Sequence, residues 1–96
     1  MGKTMSEKIL AMGAGVSEAQ AGDILWVNID KAMLDDILGP RVEIADRMKE
    51  IKDEIWDPSK VVVISDHYTP PSSINQAEIV KFTRDWSKQY GIDNYY

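Results

Sequence analysis

The sequence predicts an α/β fold: part of a three-layer domain with a mainly parallel sheet, incomplete on its own. Three observations lead there. Helix-period and strand-period segments alternate along the chain, the order that builds a parallel sheet covered by helices. Lys60-Val61-Val62-Val63-Ile64-Ser65 is a β-branched run without polar alternation, as in a strand buried on both faces. Finally, 96 residues are about two thirds of a domain at about 150 residues per domain. Two or three strands make a poor sheet, so this chain is expected to be completed by more protein.

The elements follow in order. Thr4-x-x-Glu7 has capping-box spacing, and Met5, Ile9 and Met12 fall on one face of a first helix. Gly13-Ala14-Gly15 ends it; a phosphate-binding glycine loop would open a helix after a strand, whereas these glycines follow a helix. Ala21-Gly22-Asp23 reads as a turn into a strand over residues 24–30, with Leu25, Val27 and Ile29 on one face and Trp26, Asn28 and Asp30 on the other. Residues 31–38 are ambiguous and resemble a short helix. A second helix is expected to begin around Pro40. Its apolar stripe is Ile44, Met48, Ile51 and Ile55, Glu43 and Arg47 form an i,i+4 pair, and Asp57-Pro58 ends it. The valine-rich strand comes next, then a loop, Asp66-His67-Tyr68-Thr69-Pro70-Pro71. Ser73-x-x-Gln76 caps a third helix whose stripe is Ile79, Phe82, Trp86 and Tyr90, stopped by Gly91. The last residues approach a further strand. Residues 25–29 are expected to pair in parallel with Val61–Ile64 through a right-handed crossover over the second helix. No repeat, linker or internal boundary divides residues 1–96.

Composition removes several function classes. The formal net charge is −5, opposite to the basic footprint needed for nucleic acid or an anionic membrane surface. No cysteine is present, so this chain offers no disulfide, thiolate nucleophile, cysteine-bound zinc or iron–sulfur ligand. A single histidine excludes a multi-histidine metal site. No apolar run is long enough for a signal peptide or membrane span, and a soluble cytoplasmic chain is expected.

Chemistry concentrates at two places. Asp66-His67 follows the most buried strand, and in open α/β sheets ligands bind beyond the carboxyl ends of strands. A carboxylate beside an imidazole sets its tautomer and basicity for acid–base work; the alternative is a turn-capping aspartate and a backbone-bonded histidine. Asp35-Asp36 offers two carboxylates, too few by themselves for a metal site, and otherwise shapes the turn before Gly39-Pro40. Trp26, Trp56 and Trp86 lie on separate elements as core or rim residues. Tyr68 sits in the proline-rich loop, where tyrosines often pack against a neighbouring surface.

Taken together, the segments resemble the aconitase family, in particular its 3-isopropylmalate dehydratase and homoaconitase-type large subunits. Met5-Ser6-Glu7-Lys8-Ile9-Leu10-Ala11 is similar to the family's T-x-x-E-K-I-L-A helix, and Ala21-Gly22-Asp23-Ile24 to its P-G-D-I. Leu34-Asp35-Asp36-Ile37-Leu38-Gly39-Pro40 is similar to L-N-D-I-T-x-P, and Trp56-Asp57-Pro58-Ser59-Lys60-Val61 to V-W-D-P-x-K-V. Val63-Ile64-Ser65-Asp66-His67-Tyr68-Thr69-Pro70 is similar to V-x-x-D-H-F/Y-T/V-P. The likeness runs in order through nearly the whole chain.

The resemblance implies the N-terminal portion of a hydro-lyase that moves water on hydroxy-di- or tricarboxylates with a four-iron, four-sulfur (4Fe-4S) cluster. It implies that His67 is the general acid for the departing hydroxyl, that Asp66 orients it, and that Asp35 and Asp36 lie against substrate. Leu38 stands where the family has threonine, and Asp35 where it often has Asn, His or Gln. The cluster's cysteines lie outside this chain, so no metal ligand is expected here. Implied partners are the remainder of the large subunit and a small swivelling subunit; self-association of the isolated chain follows from its uncovered surfaces. The alternative is a standalone α/β binding or scaffold module without catalysis.

Overall fold

The computed structural model describes residues 2–37 and 41–96. Leu38, Gly39 and Pro40, where the sequence places the start of the second helix and the departure from the family threonine, lie outside the described residues. The chain forms two compact units, Met1–Asp30 and Lys31–Tyr96.

In the first unit, helix α1 spans Met5–Ala14. Its capping box forms as expected: Thr4 Oγ1 accepts from the Glu7 amide and the Glu7 carboxylate accepts from the Thr4 amide, at 3.2 and 2.8 Å. Two orphan amide donors are thereby satisfied. Gly15 closes the helix at φ 69°, a left-handed conformation that favours glycine. Gly13 is needed for a different reason. The following extended segment bonds back to the helix, Asn28 N donating to the Gly13 carbonyl at 3.0 Å, and a Cβ at position 13 would stand 2.6 Å from Val27 Cγ1.

Residues 24–30 are extended but form no ladder among the described residues, which corrects the expected strand. The alternation survives in part: Leu25 and Val27 are half-buried, while Ile24 and Trp26 are almost fully exposed. Alternating hydrophobicity reports which side meets apolar surface; a strand also needs a neighbouring backbone to bond.

In the second unit that neighbour is supplied by the segment whose sequence is ambiguous and resembles a short helix. Strand β1 is Ala32–Asp35 and β2 is Val61–Ile64; they pair in parallel with Ala32 opposite Val61 and Asp35 opposite Ile64. The parallel partner of β2 is therefore β1 and not residues 25–29. The connection runs through α2, Val42–Ile51, as the crossover reading requires. On its other edge β2 meets the C-terminal residues: Val63 N donates to Asn94 O at 2.8 Å, and Tyr96 N to Val63 O at 2.9 Å. β2 is central, as its composition predicts. Val61 and Val63 are buried and Val62 and Ile64 half-buried, so one face is sealed and the other partly covered.

Helix α2 stops at Lys52, well before Asp57-Pro58, and Arg47 pairs with Glu50 at 3.2 Å instead of with Glu43. Ala45 and Met48 carry its packing; Ile51 is largely exposed. A 3-10 turn, Pro58–Lys60, leads into β2. Helix α3, Ile74–Gln89, is capped by Ser73, whose hydroxyl accepts from Gln76 N. Gln76 reaches back to Ser72, not to Ser73. Its buried Thr83 and Ser87 hydroxyls donate to carbonyls one turn earlier, Ile79 O and Thr83 O. After Gly91, at φ 70°, Ile92 folds back into the core.

The core of this unit is Ala45, Val61, Val63, Trp86 and Ile92, with Leu34, Met48, Phe82 and Tyr90 packed against it. Trp86 is thus a core residue of this unit. Large apolar side chains are uncovered in both units, Met5, Ile9, Met12, Ile24 and Trp26 in the first and Met33, Ile51 and Ile74 in the second. Trp86→Ala is expected to lower unfolding free energy by about 3–5 kcal/mol in urea denaturation followed by circular dichroism. Trp56→Ala, at a 65% exposed position, should change it by no more than about 1 kcal/mol.

Candidate active site

The parallel register brings the carboxyl ends of β1 and β2 together. Asp35 is opposite Ile64, so the residues one and two steps further on, Asp36 and the loop 65–71, share one corner. Asp36 is buried there, 1% exposed, and three N–H groups converge on it. His67 N lies 3.2 and 3.1 Å from its two oxygens, Tyr68 N donates to Oδ2 at 3.1 Å, and His67 Nδ1 is 2.7 Å from Oδ1. An ionised carboxylate only accepts, so Nδ1 carries a proton and Nε2 is the ring nitrogen left for exchange. The His67 side chain remains 39% exposed.

The electrostatics reinforce one another. Burial pushes the Asp36 carboxyl up, but the His67 ring and the amides of His67 and Tyr68 outweigh it and hold it below its ordinary 3.8. The bond to Asp36 lifts His67 above its ordinary 6.5 against a smaller desolvation effect, with the charges of Asp36, Asp35 and Asp66 adding to it. The pairing therefore favours the protonated form of the His67 ring.

The structure brings together His67, Asp36 and Asp35, and separates the roles expected of the four sequence candidates. The carboxylate bonded to the imidazole is Asp36, not the adjacent Asp66, which is exposed and acts on the ring through charge. Asp36, one residue past the end of β1, reaches across to the turn that carries His67. Asp35 accepts from Ile37 N at 3.0 Å and shapes the turn after β1. Ligand atoms of Asp35, Asp36 and His67 all lie within 4.8 Å of one another, a spacing compatible with a cation. Asp36, however, already accepts three N–H groups, so a cation would compete with the bond that orients the ring.

Sequence reasoning also missed a second tie on the loop. Arg41, at the start of α2, donates from Nη2 to Tyr68 Oη at 2.8 Å, and its guanidinium carbon lies 5.7 Å from the ring centroid. Tyr68 drew notice by its place in the loop, but nothing in the local sequence marks Arg41.

Comparison with known proteins bears on the family of the chain. No protein-family model matches the chain. Curated relatives do. The chain is 46% identical across its full length to the protein named 3-isopropylmalate dehydratase large subunit 1 of Methanopyrus kandleri, covering 22% of that protein. It is 43% identical to the probable 3-isopropylmalate dehydratase large subunit of Methanothermobacter thermautotrophicus and 38% identical to a 3-isopropylmalate dehydratase large subunit of Clostridium botulinum. In both cases the match covers all of this chain and 23% of the relative. The chain belongs to the 3-isopropylmalate dehydratase large-subunit family. It corresponds to the N-terminal segment of those proteins and spans less than a quarter of their length. Membership in this enzyme family agrees with the α/β architecture and its partial sheet. Among the described residues, no helix is long and apolar enough to cross a membrane.

The His67–Asp36 bond stabilises the folded state over a defined pH window. A histidine with a raised folded pKa contributes fully below its ordinary 6.5 and loses the contribution as pH rises through the raised value. Asp36, lowered, contributes above 3.8 and loses it as pH falls through its folded value. Asp36→Asn is expected to return the His67 titration toward 6.5, measured by the imidazole proton shifts in NMR; an unmoved midpoint would contradict the pairing.

Proposed function

We propose that this chain is the N-terminal part of a cytoplasmic hydro-lyase acting on hydroxy-di- or tricarboxylates, of the class that the relatives' names give as 3-isopropylmalate. Its contribution is the proton for the departing hydroxyl. The observation that carries the reading is the 2.7 Å bond between His67 Nδ1 and buried Asp36, at the carboxyl end of the central strand.

The chemistry follows from the residues. Hydroxide is a poor leaving group, and a proton delivered as the C–O bond breaks lets it leave as water. An imidazolium with Nδ1 held by Asp36 presents its other proton at Nε2. Asp36 stabilises the charged ring before transfer, and a solvent-accessible edge allows the proton to be restored. Asp66, beside the ring, adds negative potential that keeps it protonated. Asp35 and Asp36 occupy the corner where substrate would lie, Asp36 serving through His67.

The family resemblance implies a 4Fe-4S cluster, which supplies Lewis-acid chemistry when bound. This chain has no cysteine, and the carboxylate and imidazole donors at the corner do not fit a thiolate-held cluster. Cluster ligands therefore belong to other parts of the enzyme. The name "large subunit" borne by the relatives supports a small-subunit partner, and the exposed Met5, Ile9, Met12 and Trp26 support cover by the remainder of the large subunit. The same surfaces favour self-association of the isolated chain.

In the full-length enzyme, His67→Ala should lower kcat about 10²–10⁴-fold with a much smaller effect on KM, because proton delivery acts in the transition state. Asp66→Asn should lose less. Steady-state dehydration kinetics check this, and near-normal turnover of His67→Ala would remove the proton-donor assignment.

A further inference from the structure

Beyond the acid itself, the Arg41–Tyr68 pair has hydrogen-bonding capacity left over in a definite direction, beside a cavity of about 490 Å³ that Arg41 lines with Ile79 and Phe82.

A guanidinium only donates. Since Arg41 Nη2 donates to Tyr68 Oη, the tyrosine's own hydroxyl proton must point to a different acceptor. Arg41 is likewise unspent: its Nε is buried without a partner, and no carboxylate among the described residues forms an ion pair with it. A cation and a phenol donor, both with capacity to spare, are thus attached to the residue immediately after His67. Beside the paired Asp36, the carboxylates of Asp35 and Asp66 also act on the His67 ring. An anion approaching that corner meets these two negative charges, and the Tyr68 phenol bonded to Arg41 offers a donor next to them in the sequence.

We propose that Tyr68 donates a hydrogen bond to one carboxylate of the substrate, and that Arg41 is the positioning residue that aims and polarises it. The inference rests on the hydro-lyase reading and adds the group that recognises the substrate's charge. Both ends of Tyr68 are fixed for the task. Its amide is held by Asp36 at 3.1 Å and its hydroxyl by Arg41 at 2.8 Å, so the phenol is set in place before ligand arrives. A donor fixed in advance loses less conformational entropy on binding.

The test uses the full-length enzyme and two substrates, the dicarboxylate and its monoamide analogues. Tyr68→Phe keeps the ring and removes the hydroxyl. It should raise KM for the dicarboxylate about ten- to hundredfold, the usual worth of a hydrogen bond to a charged group, and change KM more than kcat. It should also shrink the preference for carboxylate over amide at one of the two positions. Arg41→Gln should shift KM in the same direction, and the double variant should lose less than the product of the two effects. Unchanged KM and unchanged carboxylate preference in Tyr68→Phe would overturn the proposal. So would a fall in kcat alone with the preference intact, since that marks a loop support and not a substrate contact. The outcome is separable from the acid's: His67→Ala with normal turnover would remove the hydro-lyase assignment of His67, while a lost carboxylate preference in Tyr68→Phe would still place the anion at Tyr68.

Discussion

A carboxylate cut off from water has to be matched by donors, and the arrangement around Asp36 follows from that requirement. Burying an unpaired ionised group costs far more than any single contact returns. Here three N–H groups meet it, two from consecutive backbone amides and one from an imidazole. To supply them, the chain after β2 must turn so that residues 67 and 68 present their amides to the end of β1. That turn is also what places the His67 ring. The same side chain therefore organises the loop, selects the histidine tautomer and favours the protonated ring. Removing it would release all three at once.

The strand that ends beside Asp36 was the least legible element in the sequence. Residues 31–38 have neither a clean helical stripe nor a clean alternation, while residues 24–30 alternate well and yet remain outside any ladder. Local pattern registers burial of faces; pairing is decided by which backbone lies within reach. Where burial and pairing coincide, as in Val61–Ile64, composition was sufficient and the strand is central. Chemical punctuation was read with similar success. Thr4 with Glu7, Ser73 with Gln76 N, and Gly91 all act at the helix ends where their chemistry places them. The α2 terminus was misjudged because the stripe continues through Ile55 after the helix has stopped; Ile55 still packs on the core, from non-helical chain.

The site was half legible for a related reason. Histidine at the end of a buried strand is visible in one dimension. Its partner is not, because adjacency in sequence favours Asp66 and adjacency in space favours Asp36, thirty-one positions away. The parallel register settles the choice: with Asp35 opposite Ile64, the next residue of β1 falls beside the loop. Arg41 is more distant still from any local signal, since its meaning arises only when α2 begins beside Tyr68.

Charge raises a conflict that the geometry resolves. Under the proposed function the imidazole must hold its proton among carboxylates while an anionic substrate approaches the same ring. Asp36 meets both conditions because its charge is spent at short range. Its lone pairs are occupied by N–H donors, and with a protonated His67 the pair is electrically neutral as a unit. The field that stabilises the imidazolium is strong at 2.7 Å and weak where a ligand would first arrive. Arg41 is bonded to the Tyr68 phenol and lines one cavity with Glu43 and Glu78. Under the proposed function, the neutralised acid pair and the phenol-bound guanidinium divide the work between delivering a proton and meeting the charge of an anion.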